Sequence, residues 1–227
     1  MLERMDLFFE ARLEGYDAHM LRDIAGAEEF YPFTAAALPA FPGCRVLDLG
    51  CGTGLELEFY FRRAPEAAVT GIDLSEKMLA ALRGKFPEKA LRLIQGSYFD
   101  VPLGENCFDA AVSVESLHHF TREEKVGLYR KVFRCLKPGG AFLLTDYFAE
   151  SNGEEAAFRE ELLRLREEYG IRDGGLYHFD TPLTLAHETQ ALTEGGFSQV
   201  VLLGTWGATR CIKATKLPVD LSKPGDH

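Results

Sequence analysis

Three glycines at alternate positions form the feature of this sequence that points most directly to chemistry. Gly50, Gly52 and Gly54 follow an apolar run that ends at Leu49, and a helical pattern over 55–63 comes directly after them. Glycine lets a ligand approach the backbone closely, and the N–H groups at a helix start favour a negative or polar group. The pattern therefore predicts a ligand-binding loop between a strand and a helix.

An acidic residue at the end of the next predicted strand narrows the class of ligand. Asp73 lies 19 residues after Gly54, where a carboxylate can accept hydrogen bonds from both ribose hydroxyls of a nucleotide. Leu55 stands where an NAD fingerprint would have its third glycine, and no Lys-Ser or Lys-Thr follows, which excludes a P-loop. Asp73 alone could be a helix-capping acid before Ser75, but the loop and the acid together predict a nucleoside ligand.

Two adjacent histidines follow the fourth predicted strand, at the edge where α/β proteins bind their ligands. His118 or His119 could act as a general base, with Glu115 close in sequence. The alternative is that one histidine packs beside the ligand and bonds to the backbone. The five cysteines are scattered and show no Cys/His spacing typical of zinc, so the sequence predicts reduced thiols and no metal.

Apolar runs alternate with helical patterns through the middle of the chain, which is typical of a parallel sheet covered by helices on both faces. The predicted strands cover 44–49, 68–73, 91–94, 108–114 and 141–145. Ser75 and Thr121 are predicted helix N-caps, and residues 137–140 a turn. The segments 200–203 and 208–214 have only a short connection between them, so we expect them to pair antiparallel.

Helical segments surround this predicted core. Apolar residues three or four positions apart predict one amphipathic helix over 5–24, and a second helix is predicted over 28–38. A charged helix over 151–170 indicates an insertion, and another helix is predicted over 182–194. The predicted organisation is a single domain over 1–216, made of a helical lid (1–40), a core (44–146), an insertion (151–180) and a C-terminal part (182–216), with a loose tail at 217–227.

Four stretches of the chain resemble the motifs of one protein family. Residues 46–54 (VLDLGCGTG) resemble the first motif of the class I S-adenosylmethionine-dependent methyltransferases, and 71–75 (GIDLS) resemble the second. Residues 108–113 (FDAAVS) resemble the fourth-strand motif, and 136–140 (LKPGG) the turn before the fifth strand. The resemblance implies a Rossmann-like three-layer α/β/α fold with a seven-stranded, mainly parallel sheet whose last strand is antiparallel. It also implies S-adenosyl-L-methionine as cofactor and S-adenosyl-L-homocysteine as product.

The resemblance assigns the residues of the glycine loop to the methionine part of the cofactor. Gly50, Gly52 and Gly54 would shape the loop, in which Cys51 is a small filler residue. Asp48 would support the loop and the amino group of the cofactor. These assignments predict that a polar group of the ligand lies against the turn between the first strand and the helix after it.

The nucleoside part is assigned to residues that follow the second and third strands. By resemblance, Asp73 holds the ribose, while Leu74 and Met78 pack near the ribose or the adenine. Ser97 and Tyr98 stand where the family usually has an aspartate followed by an apolar residue against the adenine. Ser97 can still bond to the adenine amino group, but less strongly than a carboxylate, since charge-assisted hydrogen bonds are the stronger kind.

The remaining assignments concern the acceptor side. Glu115 and Ser116 would line the sulfonium end of the cofactor, next to the two histidines. In similar proteins the N-terminal segment folds over the cofactor as a lid, which places Tyr16 and Tyr31 near the acceptor pocket. Tyr147 follows the fifth strand and faces the same edge. Ordinary core packing is the alternative role for each of these tyrosines.

The charge balance bears on the partners of the protein. The chain has 25 Lys+Arg against 35 Asp+Glu, a formal charge of −10, which excludes a general DNA-binding surface and disfavours RNA. No run of 18 apolar residues is present, so no membrane span is expected. The N-terminus lacks the apolar core of a signal peptide, which favours a cytoplasmic protein. We expect this protein to be a monomer or a homodimer and to act on a small molecule.

Three functions remain open at this point. The first is a methyltransferase that acts by in-line displacement on a small molecule. The second is an RNA-modification enzyme, because 184–197 and 207–213 resemble the tail of carboxy-S-adenosylmethionine synthase, although no arginine stands at Ala191 to pair a cofactor carboxylate. The third is a protein that binds the cofactor or its demethylated product without chemistry.

Overall fold

A seven-stranded sheet forms the centre of the fold. The computed structural model describes residues 2–172 and 174–218. Its strands are β1 Arg45–Leu49, β2 Ala68–Asp73, β3 Ala90–Gln95, β4 Phe108–Val114, β5 Leu136–Tyr147, β6 Gln199–Trp206 and β7 Thr209–Thr215. They lie in the order β3-β2-β1-β4-β5-β7-β6; the first five are parallel, and β7 is antiparallel to both neighbours. The predicted sheet and its antiparallel last strand are confirmed.

Helices cover both faces of this sheet. They are α1 Met5–Ala11, α2 Tyr16–Asp23, α3 Ala27–Ala37, α4 Leu55–Arg63, α5 Glu76–Lys85, α6 Arg122–Cys135, α7 Asn152–Glu168 and α8 Leu185–Glu194. Alternate strand residues point to opposite faces, so Val46 of β1 packs in the cluster with α3 and α4, whereas Leu47 and Leu49 pack in the cluster with α6 and α8. None of the described helices is both long and apolar enough to cross a membrane.

The N-terminal helix prediction is wrong in one respect. The apolar spacing predicted a single helix over 5–24, but the structure has two helices, because α1 ends at Ala11 and Gly15 has φ +80° before α2 begins. That conformation is left-handed and cannot continue an α-helix, and glycine adopts it without strain. The apolar residues keep their helical spacing on both sides of the break, and Met5 and Met20 are both buried.

Two further boundaries differ from the sequence prediction. Residues 137–140 belong to β5 and do not form a separate turn, because the N–H of Gly139 donates to the Lys216 carbonyl and the N–H of Lys216 donates to the Gly140 carbonyl. Helix α8 begins after Thr184 and not at Pro182, since the Thr184 hydroxyl accepts from the N–H of His187. Most of the predicted tail, residues 219–227, lies outside the described residues.

The predicted N-caps at Ser75 and Thr121 are confirmed. The Ser75 hydroxyl accepts from the N–H of Met78, and Thr121 and Glu124 form a capping box at the start of α6. These caps fix where α5 and α6 begin, α5 directly after the carboxyl end of β2 and α6 after the segment 115–121 that follows β4. Each satisfies N–H groups that a helix start leaves without a partner. The edge of the sheet that is expected to bind a ligand is therefore locally well defined.

A buried ion pair joins α6 to α8 on one face of the sheet. Lys125 and Glu188 are both almost fully buried, and Lys125 Nζ lies 2.6 Å from Glu188 Oε2. The Tyr129 hydroxyl donates to the other oxygen of the same carboxylate. Three groups therefore satisfy one another in the absence of water, and removing a single one leaves a buried charge without compensation.

We expect Lys125→Met to destabilise the fold by about 3–5 kcal/mol, because it strands the Glu188 carboxylate in the core. The double variant Lys125→Met/Glu188→Leu should recover much of this loss, since no charge then remains buried. Urea unfolding measures both changes, with Arg164→Met in the exposed ion pairs of α7 as the control. A single variant as stable as the double variant would contradict this account.

Candidate functional site

The glycine loop after β1 is shaped by three positive backbone angles. Gly50, Gly52 and Gly54 have φ of 72°, 47° and 72°. A Cβ at Gly50 would lie 2.1 Å from Ser116 Oγ, and one at Gly54 would lie 2.4 Å from Leu82 Cδ1. A Cβ at Gly52 would meet nothing within 4 Å. The outer glycines are thus required for packing, while Gly52 presents an open stretch of backbone.

The loop is fastened to the end of β2. The N–H groups of Gly50 and Cys51 both donate to the Ile72 carbonyl, at 2.8 and 3.2 Å. The Cys51 thiol packs against the backbone of Gly71, where a Cβ would lie 2.7 Å from the sulfur. Cys51 therefore acts as the small filler residue that the sequence suggested, and its side chain packs against the end of β2.

Asp73 connects the loop to the next helix. One carboxylate oxygen accepts from the N–H of Gly52 and the other from the N–H of Ser75, each at 2.9 Å. Burial raises the pKa of Asp73, while these backbone bonds act in the opposite direction. The side chain is thus both a cap before α5 and a support of the loop. A carboxylate offers about four acceptor positions, so room for ribose hydroxyls remains.

Most of the predicted cofactor residues border one cavity between the loop and the N-terminal helices, here called the loop cavity. Those that line it are Gly50, Gly52, Asp73, Leu74, Met78, Tyr98, Glu115 and Ser116. Met5, Phe9 and Tyr16 of α1 and α2 close it from above. Its volume is about 50 Å³, room for a few water molecules at most.

Four predicted cofactor residues do not line the loop cavity. Gly54 and Cys51 are used in packing, as described above. Ser97 accepts a hydrogen bond from the N–H of Phe99 at 3.2 Å and thereby stabilises the turn after β3. Asp48 is buried in β1 directly before the loop. The cofactor roles assigned to these residues stay predictions.

A pair of buried acids lies on either side of the glycine loop. Asp48 precedes it in β1 and Glu56 follows it in α4, and each is less than a twentieth exposed. Asp48 Oδ2 and Glu56 Oε1 have no hydrogen-bond partner among the described residues. Burial and the charge of Glu56 raise the pKa of Asp48 well above its usual range, and burial also raises that of Glu56. Nothing in the sequence singled out Glu56, because one acid in a helical pattern is common.

A second, larger cavity adjoins the loop cavity and is here called the chamber. It encloses about 670 Å³, and Phe9, Tyr16, Glu115 and His119 line both spaces. Its other walls come from α1, α2 and the 118–119 and 178–180 segments, namely Phe8, Ala11, Arg12, Glu14, Gly15, His19, Met20, Ile24, His118, His178 and Asp180. Of the predicted pocket tyrosines, Tyr16 lines both spaces, while Tyr31 and Tyr147 line neither.

Glu115 stands at the junction of the two spaces in a strained conformation. It directly follows β4 with φ +48°, which is uncommon for a residue other than glycine and occurs often at functional sites. Its Oε1 accepts from the Thr209 hydroxyl at 2.9 Å. Burial and the charge of Asp146 raise the pKa of Glu115 to about 7.

The two candidate catalytic histidines have different environments. His118 Nδ1 lies 2.5 Å from Asp146 Oδ1. Burial opposes protonation of His118, but the Asp146 carboxylate outweighs it and raises the pKa to about 9. Burial and the charge of His118 lower the pKa of His119 to about 4. At neutral pH His118 is therefore charged and His119 neutral, and a catalytic role for either histidine stays a prediction.

A latch holds α2 on the glycine loop. The Asp17 carboxylate accepts from the Thr53 hydroxyl and from the Lys85 ammonium group of α5. This contact joins residues that are far apart in sequence, so no local sequence pattern predicts it. It places Tyr16 over the loop cavity, and the lid role of the N-terminal helices stays a prediction.

Comparison with known proteins identifies the family of the chain. Residues 46–140 match the family model described as a methyltransferase domain, and this stretch contains the glycine loop, Asp73 and both histidines. Residues 46–140 therefore form a methyltransferase domain, and the relatives that the chain matches support the class I S-adenosylmethionine-dependent methyltransferases as its family. An uncharacterised methyltransferase of Synechocystis sp. is 35% identical over 57% of this chain and 59% of the relative. A fatty-acid O-methyltransferase of Mycolicibacterium smegmatis is 36% identical over 52% of the chain and 42% of the relative.

The fold is also found in solved structures. Human N-acetylserotonin methyltransferase in complex with S-adenosylmethionine superposes with a TM-score of 0.61 over 92% of this chain and 55% of the human chain, at 20% identity. This likeness concerns the fold alone. The chain spans about half the length of the two curated relatives described above.

Replacing Asp17 should release the latch. We expect Asp17→Ala to speed backbone hydrogen exchange over 16–23 by about 5-fold, which corresponds to roughly 1 kcal/mol. Hydrogen exchange followed by mass spectrometry measures this. Asp23→Ala alters an exposed acid of the same helix and serves as the control. Equal exchange in the two variants would show that Asp17 does not hold α2.

Replacing Asp48 should change how stability depends on pH. Its folded-state pKa is raised, so the free energy of unfolding falls as pH rises above the unfolded pKa towards the folded one. Asp48→Asn removes this titration, and its gain in Tm over the parent should be larger at about pH 8 than at about pH 5. A gain of about 1 kcal/mol corresponds to about 2–4 °C. Exposed Glu66→Gln is the control, and a pH-independent difference would contradict the prediction.

Proposed function

We propose that this methyltransferase transfers the methyl group of S-adenosyl-L-methionine to a small molecule held in the chamber. The observation that carries the proposal is the junction of the two spaces at Glu115 and His119. The loop cavity is bordered by residues that match the cofactor motifs of the family, and the chamber opens from its far side. Because the two spaces are contiguous, a donor bound at the loop and an acceptor bound in the chamber would be in direct contact.

The residues around the loop fit such a cofactor. Gly52 leaves its backbone open, and Asp73 is at the end of β2 with acceptor positions to spare. The carboxyl oxygens of Asp48 and Glu56 that have no partner among the described residues would accept hydrogen bonds from a ligand with an ammonium group. When bound, the cofactor supplies an activated methyl group together with its own leaving group.

The protein then has to position the two reactants and exclude water. Methyl transfer is an in-line displacement, so alignment of the acceptor with the methyl group supplies much of the rate. Met5, Phe9 and Tyr16 cover the loop cavity, which holds about 50 Å³ as it stands. Entry of the cofactor therefore requires these side chains to move, and their return would shield the reacting groups from solvent.

The lining of the chamber supports a small acceptor with an apolar body and a polar reacting end. Phe8, Met20 and Ile24 provide apolar wall, and His118 and Asp180 lie on the polar side. A chamber of about 670 Å³ is in the range of pockets that take small molecules. The name of the fatty-acid O-methyltransferase among the relatives also favours a small molecule.

Cofactor binding is the direct test. Isothermal titration calorimetry should detect S-adenosyl-L-methionine binding to the parent protein, and Asp73→Asn should weaken it by about 10- to 100-fold, the value of a charged hydrogen bond. Asp100→Asn changes an exposed acid after β3 and should bind like the parent. The parent's failure to bind at millimolar ligand would overturn the proposal.

Turnover distinguishes an enzyme from a binding protein. Release of S-adenosyl-L-homocysteine should be detected with at least one member of a panel of small hydroxy, amino and carboxylic acceptors. If the protein binds the cofactor but shows no turnover with the small-molecule panel or with transfer RNA, only the binding function remains. Turnover confined to transfer RNA would contradict a small-molecule acceptor.

A further inference from the structure

We propose that His118, His119 and Asp180 form a site for a divalent transition-metal cation in the wall of the chamber. Each of these residues offers one ligand atom, and the three atoms lie within 4.8 Å of one another. Asp180 Oδ1 is near both His118 Nε2 and His119 Nδ1. Two imidazoles and one carboxylate are a set that binds Fe²⁺, Zn²⁺ and related ions while leaving coordination positions open.

The spacing of these atoms suits a shared ion. Asp180 Oδ1 lies 3.0 Å from His119 Nδ1 and 3.7 Å from His118 Nε2. Ligand atoms that each lie about 2.0–2.2 Å from one metal are about 3.0–3.5 Å apart at octahedral or tetrahedral angles. The two separations from Asp180 Oδ1 therefore lie close to those that a shared ion requires.

Two of the three atoms lack the partner that a buried polar atom needs. His119 Nδ1 and Asp180 Oδ1 are inaccessible to solvent and make no hydrogen bond among the described residues, although they face each other. His119 is 8% exposed as a whole residue. Buried polar atoms without partners are costly, and a cation between them would satisfy both at once.

The environment of His118 has the arrangement found behind metal-bound histidines. Its Nδ1 is held by Asp146 Oδ1 at 2.5 Å, which leaves Nε2 on the side of Asp180. Asp146 is itself fixed, because its carboxylate accepts from the N–H groups of Leu117 and Tyr147 at 2.9 and 3.0 Å. A carboxylate that fixes the ring in this way orients it and strengthens it as a ligand. A bound cation would replace the Nε2 proton that His118 carries at neutral pH.

The fold brings the third ligand to the two histidines by a specific contact. The N–H of Thr181 donates to the His118 carbonyl at 2.6 Å, and the Thr181 hydroxyl reaches the same oxygen at 3.3 Å. These two groups are 63 positions apart in the chain. The sequence predicted no metal because no spacing typical of metal ligands is present, and such spacing cannot reveal ligands that only the fold unites.

Other charged and titratable groups face the proposed site. The Glu115 carboxylate lies within 4.8 Å of ligand atoms of His118 and Asp146, and the ring of His178 is centred 4.6 Å from that of His119. Arg12 also lines the chamber. The nearby carboxylates offset the charge of a divalent ion, which would therefore not be an isolated charge in a buried place.

The position of the site also suggests a class of acceptor, an inference that rests on the proposed function. A metal with open positions would bind an acceptor hydroxyl or carboxylate and favour its deprotonated oxygen. That oxygen would form the bond to the methyl carbon as the carbon–sulfur bond breaks. The sulfur keeps the electron pair and becomes a thioether, and the hydroxyl proton is released to solvent.

Metal binding is tested on tag-free protein treated with a chelator, with Co²⁺ as the probe. The parent should bind one equivalent, detected by calorimetry and by the visible absorption of coordinated Co²⁺, with a Kd below about 100 μM. Asp180→Asn and His119→Gln should lose this binding. Asp146→Asn should bind about 10- to 100-fold more weakly, since it only positions His118.

A matched control separates the site from surface histidines. His187 and Glu155 form another histidine–carboxylate pair, outside the chamber, and His187→Gln should bind Co²⁺ like the parent. Thermal unfolding confirms that each variant is folded. Absence of Co²⁺ binding by the parent, or equal binding by Asp180→Asn, overturns the proposal. Because Asp180 does not line the loop cavity, Asp180→Asn should keep its affinity for S-adenosyl-L-methionine, so this proposal and the proposed function fail separately.

Discussion

The carboxylate of Asp73 is the interaction on which the rest of the site depends. It accepts from Gly52 in the glycine loop and from Ser75 at the start of α5, so it ties together two βα units whose strands are neighbours in the sheet. The loop is also fixed to β2, because the N–H groups of Gly50 and Cys51 donate to the Ile72 carbonyl. The open backbone at Gly52 is consequently held in place before any ligand arrives, which lowers the cost of ordering it on binding.

The same region concentrates buried carboxyl groups at some expense of stability. Asp48, Glu56, Asp73 and Glu115 are buried, and burial raises the pKa of each. A raised pKa means that burial disfavours the charged form of each acid, so ionising these groups in the folded protein is destabilising. A cationic cofactor would repay that cost when it binds. The arrangement thus fits a site in which the ligand completes the electrostatics.

Local patterns in the sequence predicted much of this architecture. Strands β1, β2 and β4, the caps at Ser75 and Thr121, and the antiparallel ending were predictable because each depends on residues close together in the chain. The break at Gly15 escaped notice because the apolar period continues across it. A single glycine does not reveal its φ angle from sequence alone.

Contacts between distant segments could not be predicted in this way. The latch of Asp17 on Thr53 and Lys85 joins three separate elements. The approach of Asp180 to the two histidines depends on the bond of Thr181 to the His118 carbonyl. The Ser97 hydroxyl accepts a hydrogen bond from the N–H of Phe99 in the same turn, a role that the resemblance to the family did not suggest. Such features depend on tertiary geometry, and no spacing within the sequence encodes them.

A crystal structure with S-adenosyl-L-homocysteine bound tests the central claim most directly. The account predicts electron density for the ligand in the loop cavity, with its ribose hydroxyls on Asp73 and with Met5, Phe9 and Tyr16 displaced from their present positions. The sulfur should lie on the side of Glu115, facing the chamber. Ligand density elsewhere on the protein, with the loop cavity unchanged at saturating ligand, would contradict it.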